Sequence, residues 1–360
     1  LKIAVITIGH HPDDDRIQKK EIQSLLNHDQ NVLLLTWNQK FTQSPSEMYR
    51  HVDIEKSRLN LFKKEALRVA LRYRPDRIII HEFELLPLGT KIKKRLKIPL
   101  IYDIHDAHKE MWSTFSSRKG FKKFVVNNIL NAFETFYLHN VDRGMTPNPT
   151  LVERYRDRGV PMVFVPNYPR IIQINEKSSQ RRTRIIYHGQ ISYERGIGDL
   201  IEVCSRLIDK LPDVSLDIYG SERVPGTISS LKKQIHSNAI SFHSHVPHDK
   251  MLDLLMTAHI GVIPFQDFNL FRVAVPTKIF EYMLCECAIV TTDLPLLRSL
   301  AGNAALYFDA GNKEDLHNKL LGLINDTDRR KRLVLRGRKR IVDEYNWESV
   351  EDNFLQAVLN

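Results

Sequence analysis

The sequence predicts an α/β protein of two consecutive domains, each a parallel sheet covered by helices on both faces. Three observations carry that prediction. Short β-branched runs alternate with amphipathic helical stretches along almost the whole chain, which is the pattern of βαβ units. The pattern pauses once, around Pro166-Asn167-Tyr168-Pro169 and the polar, basic run 176–184, and then starts again. Finally, 360 residues exceed the usual size of one compact domain, and a hydrophobic content of 42% supplies core for two.

In the first half, β-branched runs place strands at 2–8, 31–37, 77–81 and 99–104, and apolar residues at helical spacing place helices at 16–26, 61–73, 86–96 and 121–138. Short strands at 141–145 and 162–165 complete it. The second half repeats the scheme, with strands at 184–188, 215–219, 240–242, 260–264 and 288–291. Helices are expected there at 198–211, 227–236, 249–257 and 277–283, with more to the end of the chain. The domain limits that follow are 1–168, 169–345 and a terminal helix at 346–360 packing back toward the first domain. Two Rossmann-like halves imply a cleft between them, with ligands beyond the carboxyl ends of the strands.

Composition narrows the function classes. No apolar stretch approaches the ~20 residues of a membrane-spanning helix, and residues 1–6 read as a strand rather than a signal peptide. Cys204, Cys285 and Cys287 lie in apolar surroundings without metal-ligand spacing, so they read as reduced core residues of a cytoplasmic protein. A formal charge of +10 attracts anions: nucleic acid, anionic lipid or a phosphorylated substrate. Basic clusters at 63–74, 91–97 and 118–123 fall in the first half, the last interleaved with Phe115, Phe121 and Phe124. They make an anionic membrane surface a candidate partner, against the ordinary reading of solvated helix faces.

The densest local chemistry is Val275-Pro276-Thr277-Lys278-Ile279-Phe280-Glu281-Tyr282-Met283. Pro276 and Thr277 suit the start of a helix, where Thr277 can cap free backbone donors and leave an anion seat. Lys278 adds positive charge for a diphosphate, and Glu281, one turn on, can accept both hydroxyl hydrogens of a ribose. Arg195-Gly196 sits in a loop after the strand at 184–188, where an arginine can reach phosphate and a glycine permits close backbone approach. Tyr219-Gly220 ends the next strand, a place either for nucleotide contact or for a plain turn. In the first half, Gly9 and Arg16 flank the first strand-to-helix loop, and His105 closes the strand at 99–104, suited to hydrogen bonding or proton handling. Asp13-Asp14-Asp15 read as helix caps. The run Asp103-Ile104-His105-Asp106-Ala107-His108 is not read as a metal site, because strand alternation separates its side chains.

These motifs, in this order, resemble the retaining family-4 glycosyltransferases of GT-B fold, also called glycosyl transferases group 1. The resemblance rests on Pro276–Met283 followed by Ala288–Asp293, on His81–Pro87 and Ile101–Asp106, on Arg184–Gly189 with Arg195-Gly196, and on Asn346-Trp347. It implies transfer of a sugar from a nucleotide-sugar donor to a glycan or lipid-linked acceptor with retention of configuration, in cell-surface polysaccharide or glycoconjugate synthesis. It also implies an acceptor-binding first domain, a donor-binding second domain, and placement in the cytoplasm or on the inner face of a membrane. No metal and no cofactor are expected, the donor being a substrate. His105, Arg195 and Lys278 are then the catalytic candidates. Gly9, Arg16, Gln190, Tyr219, Gly220, Pro276, Thr277 and Glu281 are the substrate-binding ones. The chain departs from the family pattern at Val273, where the family has a first glutamate that Phe265-Gln266-Asp267 could replace, and at Gln190, where the family has arginine. Two other classes stay open: a nucleotide-sugar epimerase of the same fold, and a non-catalytic nucleic-acid or anion-binding protein, for which no RNA-binding or helix-turn-helix pattern is present.

Overall fold

The computed structural model describes residues 1–10, 14–39, 46–105, 120–173 and 182–360. They form two compact units, one of Leu1–Asn167 with Trp347–Asn360 and the other of Tyr168–Asn346.

In the first unit, seven parallel strands lie in the order β3-β2-β1-β4-β5-β6-β7. They are β1 (Lys2–Ile6), β2 (Asn31–Trp37), β3 (Tyr49–Ile54), β4 (Arg77–Ile80), β5 (Leu100–Asp103), β6 (Arg143–Thr146) and β7 (Met162–Phe164). The inner strands are apolar on both faces because helices cover both: Ile3–Ile6 and Ile78–Ile80 are fully buried. The helices are α1 (Gln23–Asn27), entered through a π-helical stretch Asp15–Ile22, then α2 (Leu59–Tyr73), α3 (Leu86–Leu96), α4 (Gly120–Leu138) and α5 (Pro149–Arg156). The last helix of the chain, Glu351–Leu359, packs on β6 and β7, and the Trp347 indole N–H donates to Ser24 Oγ at 3.0 Å.

The second unit has six parallel strands in the order β10-β9-β8-β11-β12-β13. These are β8 (Thr183–His188), β9 (Val214–Tyr219), β10 (Ile240–His243), β11 (Ile260–Ile263), β12 (Ala288–Thr292) and β13 (Ala305–Phe308). This is the doubly wound order, whose direction reverses between β8 and β11 and opens a ligand crevice at the carboxyl ends. Its helices are α6 (Ile197–Ile208), α7 (Thr227–Lys232), α8 (His248–Met256), α9 (Asn269–Val273), α10 (Lys278–Leu284), α11 (Pro295–Ala301), α12 (Lys313–Asn325) and α13 (Thr327–Asp343); the terminal helix Glu351–Leu359 is α14. All three cysteines are buried free thiols.

The structure adds elements the sequence pattern did not mark. β3 and β13 are edge strands; β3 lacks a continuous apolar run and β13 is only four residues long; α5 and α9 are short. Among the described residues, no helix is long and apolar enough to cross a membrane. Phe115, Arg118 and Lys119 lie outside the described residues, as do the side chains of Phe121–Phe124.

Candidate functional site

In the second unit the site is built on the carboxyl ends of β8 and β11 and on the start of α10. The chain leaves β8 at His188 and turns at Gly189 with φ 115°. A Cβ on Gly189 would stand 3.0 Å from Lys278 Nζ, and φ 115° is a conformation that other residues rarely adopt, so glycine suits this turn beside the lysine. At Gly196, φ is 71°, and a Cβ would fall 1.7 Å from the Pro264 carbonyl oxygen. That close approach seats the Arg195 loop on the end of β11. Gly220, after β9, packs against the Gly189 carbonyl.

Lys278 is 5% exposed, and its Nζ has no hydrogen-bond partner. It sits 4.1 Å from the centroid of the Tyr187 ring and 5.2 Å from that of Phe265. Arg195 is half-buried, its Cζ 5.4 Å from Phe265 and 5.5 Å from Phe271, and its buried Nε also lacks a hydrogen bond. Neither cation forms an ion pair with a carboxylate among the described residues. Burial, reinforced by Arg195, pushes the Lys278 ammonium well below the ordinary lysine value. Two cations gathered among aromatic faces, with the Glu281 carboxylate acting on Lys278 but making no direct ion pair, keep unused hydrogen-bonding capacity suited to an anion.

One turn along α10, Glu281 is 7% exposed. His248 Nε2 lies 3.0 Å from its Oε1 and His188 Nε2 lies 3.1 Å from its Oε2. Tyr219 is buried and stacks on His243, ring centroids 4.2 Å apart. The Gln190 carbonyl accepts from the Tyr187 hydroxyl at 2.7 Å. Thr277 stands at the cap position of α10, but its side chain makes no capping bond, and α10 begins at Lys278, past Pro276. The expected Thr277 side-chain cap is therefore corrected: it is not formed, and the first backbone N–H groups are not capped by it. Val273 ends α9. Gln266 bonds Asp199 at 2.6 Å, and exposed Asp267 pairs with Arg272, so both side chains already have partners.

The first unit gathers charge at the carboxyl ends of β1, β4 and β5. Arg16 is expected from its position to reach a ligand; instead it is 2% exposed and saturated. Its Nε and Nη2 each donate to Asp103 at 3.0 Å, its Nη1 donates to the Val165 carbonyl at 2.9 Å, and Nε stands 2.9 Å from Glu21 Oε1. Burial works against ionised Asp103, but Arg16 outweighs it and holds the carboxyl well below its ordinary value. The Glu21 carboxyl moves the other way, raised by burial and by Asp103. His105 Nε2 lies 2.6 Å from Asp103 Oδ2 and 2.9 Å from His81 Nδ1, and burial lowers the imidazole despite Asp103. Gly9 N–H donates to Glu82 Oε1 at 2.8 Å, and Glu82 also receives Thr7 Oγ1 and Ile8 N. Asp14 caps the turn that follows, accepting from Arg16 N and Ile17 N.

Alternation was expected to separate Asp103 from His105. Residues two apart share a side of a strand, and the two meet. Glu21, His81, Asp103 and His105 offer ligand atoms within 4.8 Å of one another, but Arg16 already meets both carboxylates with the charge a cation would bring. Asp13, Asp106 and His108 lie outside the described residues. Glu21, Asp103, His188 and His248 were not read as site residues. Only the strand-end positions of Asp103 and His188 pointed to them; Glu21 and His248 look like ordinary surface positions of helices.

Residues 35–168 match the family described as glycosyl transferase 4-like domain, and residues 182–326 match glycosyl transferases group 1. The chain is 20% identical over 305 residues to a glycogen synthase of Mycobacterium tuberculosis, covering 80% of this chain and 69% of that protein. It is 22% identical over 193 residues to an alpha-maltose-1-phosphate synthase of Mycolicibacterium smegmatis, covering 49% of this chain and 47% of that protein. Among solved structures, sucrose-phosphate synthase from Thermosynechococcus elongatus superimposes with a TM-score of 0.79 at 14% identity, covering 99% of this chain and 97% of that one. HepE from Anabaena, in complex with UDP and glucose, gives 0.76 at 13% identity, covering 99% and 98%.

Proposed function

The chain belongs to the group 1 glycosyltransferases of GT-B fold, and from that premise we propose that it moves a sugar from a nucleoside-diphosphate donor to a glycan or lipid-linked acceptor with retention of configuration. The process it serves is the synthesis of a cell-surface polysaccharide or glycoconjugate. The observation that carries this reading is the pair Lys278 and Arg195, held among aromatic rings without a carboxylate partner. The Anabaena HepE complexes hold UDP, glucose or UDP-glucose, which supports a nucleotide-sugar donor here.

In this reading the diphosphate lies against Lys278, Arg195 and the backbone at Gly189 and Gly220, with Gln190 and Tyr219 beside it. Glu281 accepts from the ribose hydroxyls. Transfer breaks the bond between the anomeric carbon and the phosphate oxygen, so charge builds on the departing diphosphate while the sugar becomes cation-like. Fixed cations aimed at that charge stabilise the transition state without reorganising. His105, oriented by Asp103 and His81, serves the sugar or the acceptor from the first unit.

Screening UDP-, GDP-, ADP- and CDP-sugars by thermal shift tests the reading, because a ligand at 100 times its Kd stabilises by about 2.7 kcal/mol. At least one donor raises the melting temperature, and transfer then continues in excess EDTA. No shift with any donor, or wild-type turnover by a folded Lys278→Met variant, overturns the assigned site. An absolute requirement for added divalent metal overturns the metal-free mechanism.

A further inference from the structure

Glu281 is approached from two sides by histidines that were not read as site residues. His188 is the last residue of β8 and His248 the first of α8, 60 positions apart by their numbers, yet both turn Nε2 to the same carboxylate, one to each oxygen. An ionised carboxylate accepts only, so the His248 ring carries its proton on Nε2, while His188 Nε2 stands 3.1 Å from Oε2 without completing a hydrogen bond. His188 is also wedged edge-on against Tyr282, ring centroids 5.3 Å apart. Burial alone would raise the Glu281 carboxyl, but the two histidines outweigh it and keep the group ionised.

The terminal torsion of a glutamate is intrinsically broad, so an unrestrained carboxylate would lose that freedom each time a ligand bound. A carboxylate offers about four lone-pair positions, two per oxygen. With His248 on Oε1 and no hydrogen bond to Oε2, both oxygens keep acceptor positions, and a vicinal diol offers one hydroxyl to each. We propose that His248 is a positioning residue for the donor ribose, fixing Glu281 through Oε1 so that the carboxylate receives the 2′- and 3′-hydroxyls. This rests on the assignment of Glu281 to the ribose made above and adds the residue that makes that contact effective.

His248 gives the cleaner test, because its side chain is partly exposed at the start of a helix and its loss leaves the core intact. Affinities of UDP, GDP, ADP and CDP, and of the 2′,3′-dideoxy form of each, are measured by calorimetry on the full chain as wild type, Glu281→Gln, His248→Ala and His248→Gln. Wild type prefers the ribo form, and Glu281→Gln loses that preference. His248→Ala weakens the ribo form about tenfold, the scale of one hydrogen bond to a charged group, and leaves the dideoxy form unchanged. His248→Gln, whose amide N–H can donate in place of the imidazole, recovers most of the loss. If Glu281→Gln abolishes the preference while His248→Ala keeps it, or if His248→Ala weakens both forms equally, the positioning role is wrong and the ribose assignment stands. If wild type binds the dideoxy forms as tightly, or binds none of the four nucleotides, the ribose assignment falls and this inference falls with it.

Discussion

At the carboxyl end of the first sheet, Arg16 bonds both oxygens of Asp103 and pairs with Glu21; at the same end of the second, Lys278 and Arg195 face rings and make no ion pair with a carboxylate among the described residues. Both units are parallel sheets wound the same way about β1 and β8, so topology does not explain the contrast. The chemistry does. A buried cation balanced by its own chain has its interactions satisfied, and its role is to fix the groups around it, here His105 and His81. A buried cation left unbalanced is held at a cost that only an incoming anion offsets. The same residue type at the same topological place is therefore expected to act as scaffold in one unit and to bind in the other, and substitution separates the two.

The largest effect is expected from Arg16→Met. Removing the guanidinium strands Asp103 and Glu21 in the interior, which costs about 3–5 kcal/mol and appears as a marked fall in melting temperature. An unchanged melting temperature would break the comparison on the side of the first unit.

Lys278→Met should act with the opposite sign. Its affinity for nucleoside diphosphate falls on the order of 100-fold, while its stability at neutral pH equals or exceeds that of wild type. The pH dependence fixes the sign. The Lys278 value is depressed by burial and by Arg195, so between that value and the ordinary 10.5 the unfolded chain holds more protons than the folded one. Wild-type stability from this group therefore rises with pH through that interval. The advantage of the methionine variant should fade as pH climbs toward 10.5, and denaturant midpoints at several pH values measure it. An advantage that grows with pH would contradict the buried-cation reading.

A smaller loss is expected from Gly189→Ala. The alanine must adopt φ 115° and press a methyl group against Lys278 Nζ, at roughly 1–3 kcal/mol of backbone strain, with a several-fold loss of diphosphate affinity in the same titration. The smallest effect belongs to Arg272→Ala. This arginine pairs with Asp267 on the surface of the second unit, and its removal should leave melting temperature and nucleotide binding within error. A large change there would mean that Asp267 takes part in the site after all.

How much of this could be read from the sequence follows from how local each feature is. The inner strands announce themselves because two covered faces demand unbroken apolar runs such as Ile78–Ile80 and Ala288–Val290. β3 (Tyr49–Ile54) carries Arg50, His51 and Asp53, which an edge can tolerate, and so it lacks the apolar run that marks a strand. The charge of Lys278, the turn glycines and Glu281 were legible because they sit within one short stretch or at a strand end. Their partners were not. That His248 would meet Glu281, or Arg16 would meet Asp103, depends on sheet order and helix placement across 33 and 87 positions, which no local pattern encodes.

The claim on which the functional account depends is that Lys278 and Arg195 hold the donor diphosphate. Titrating UDP, GDP, ADP and CDP, each beside its unphosphorylated nucleoside, into wild type and into a Lys278→Met, Arg195→Met double variant tests it most directly. The account predicts that wild type binds one diphosphate on the order of 100-fold tighter than its nucleoside and that the folded double variant binds the two alike. A preference for the diphosphate that survives in the double variant would contradict it.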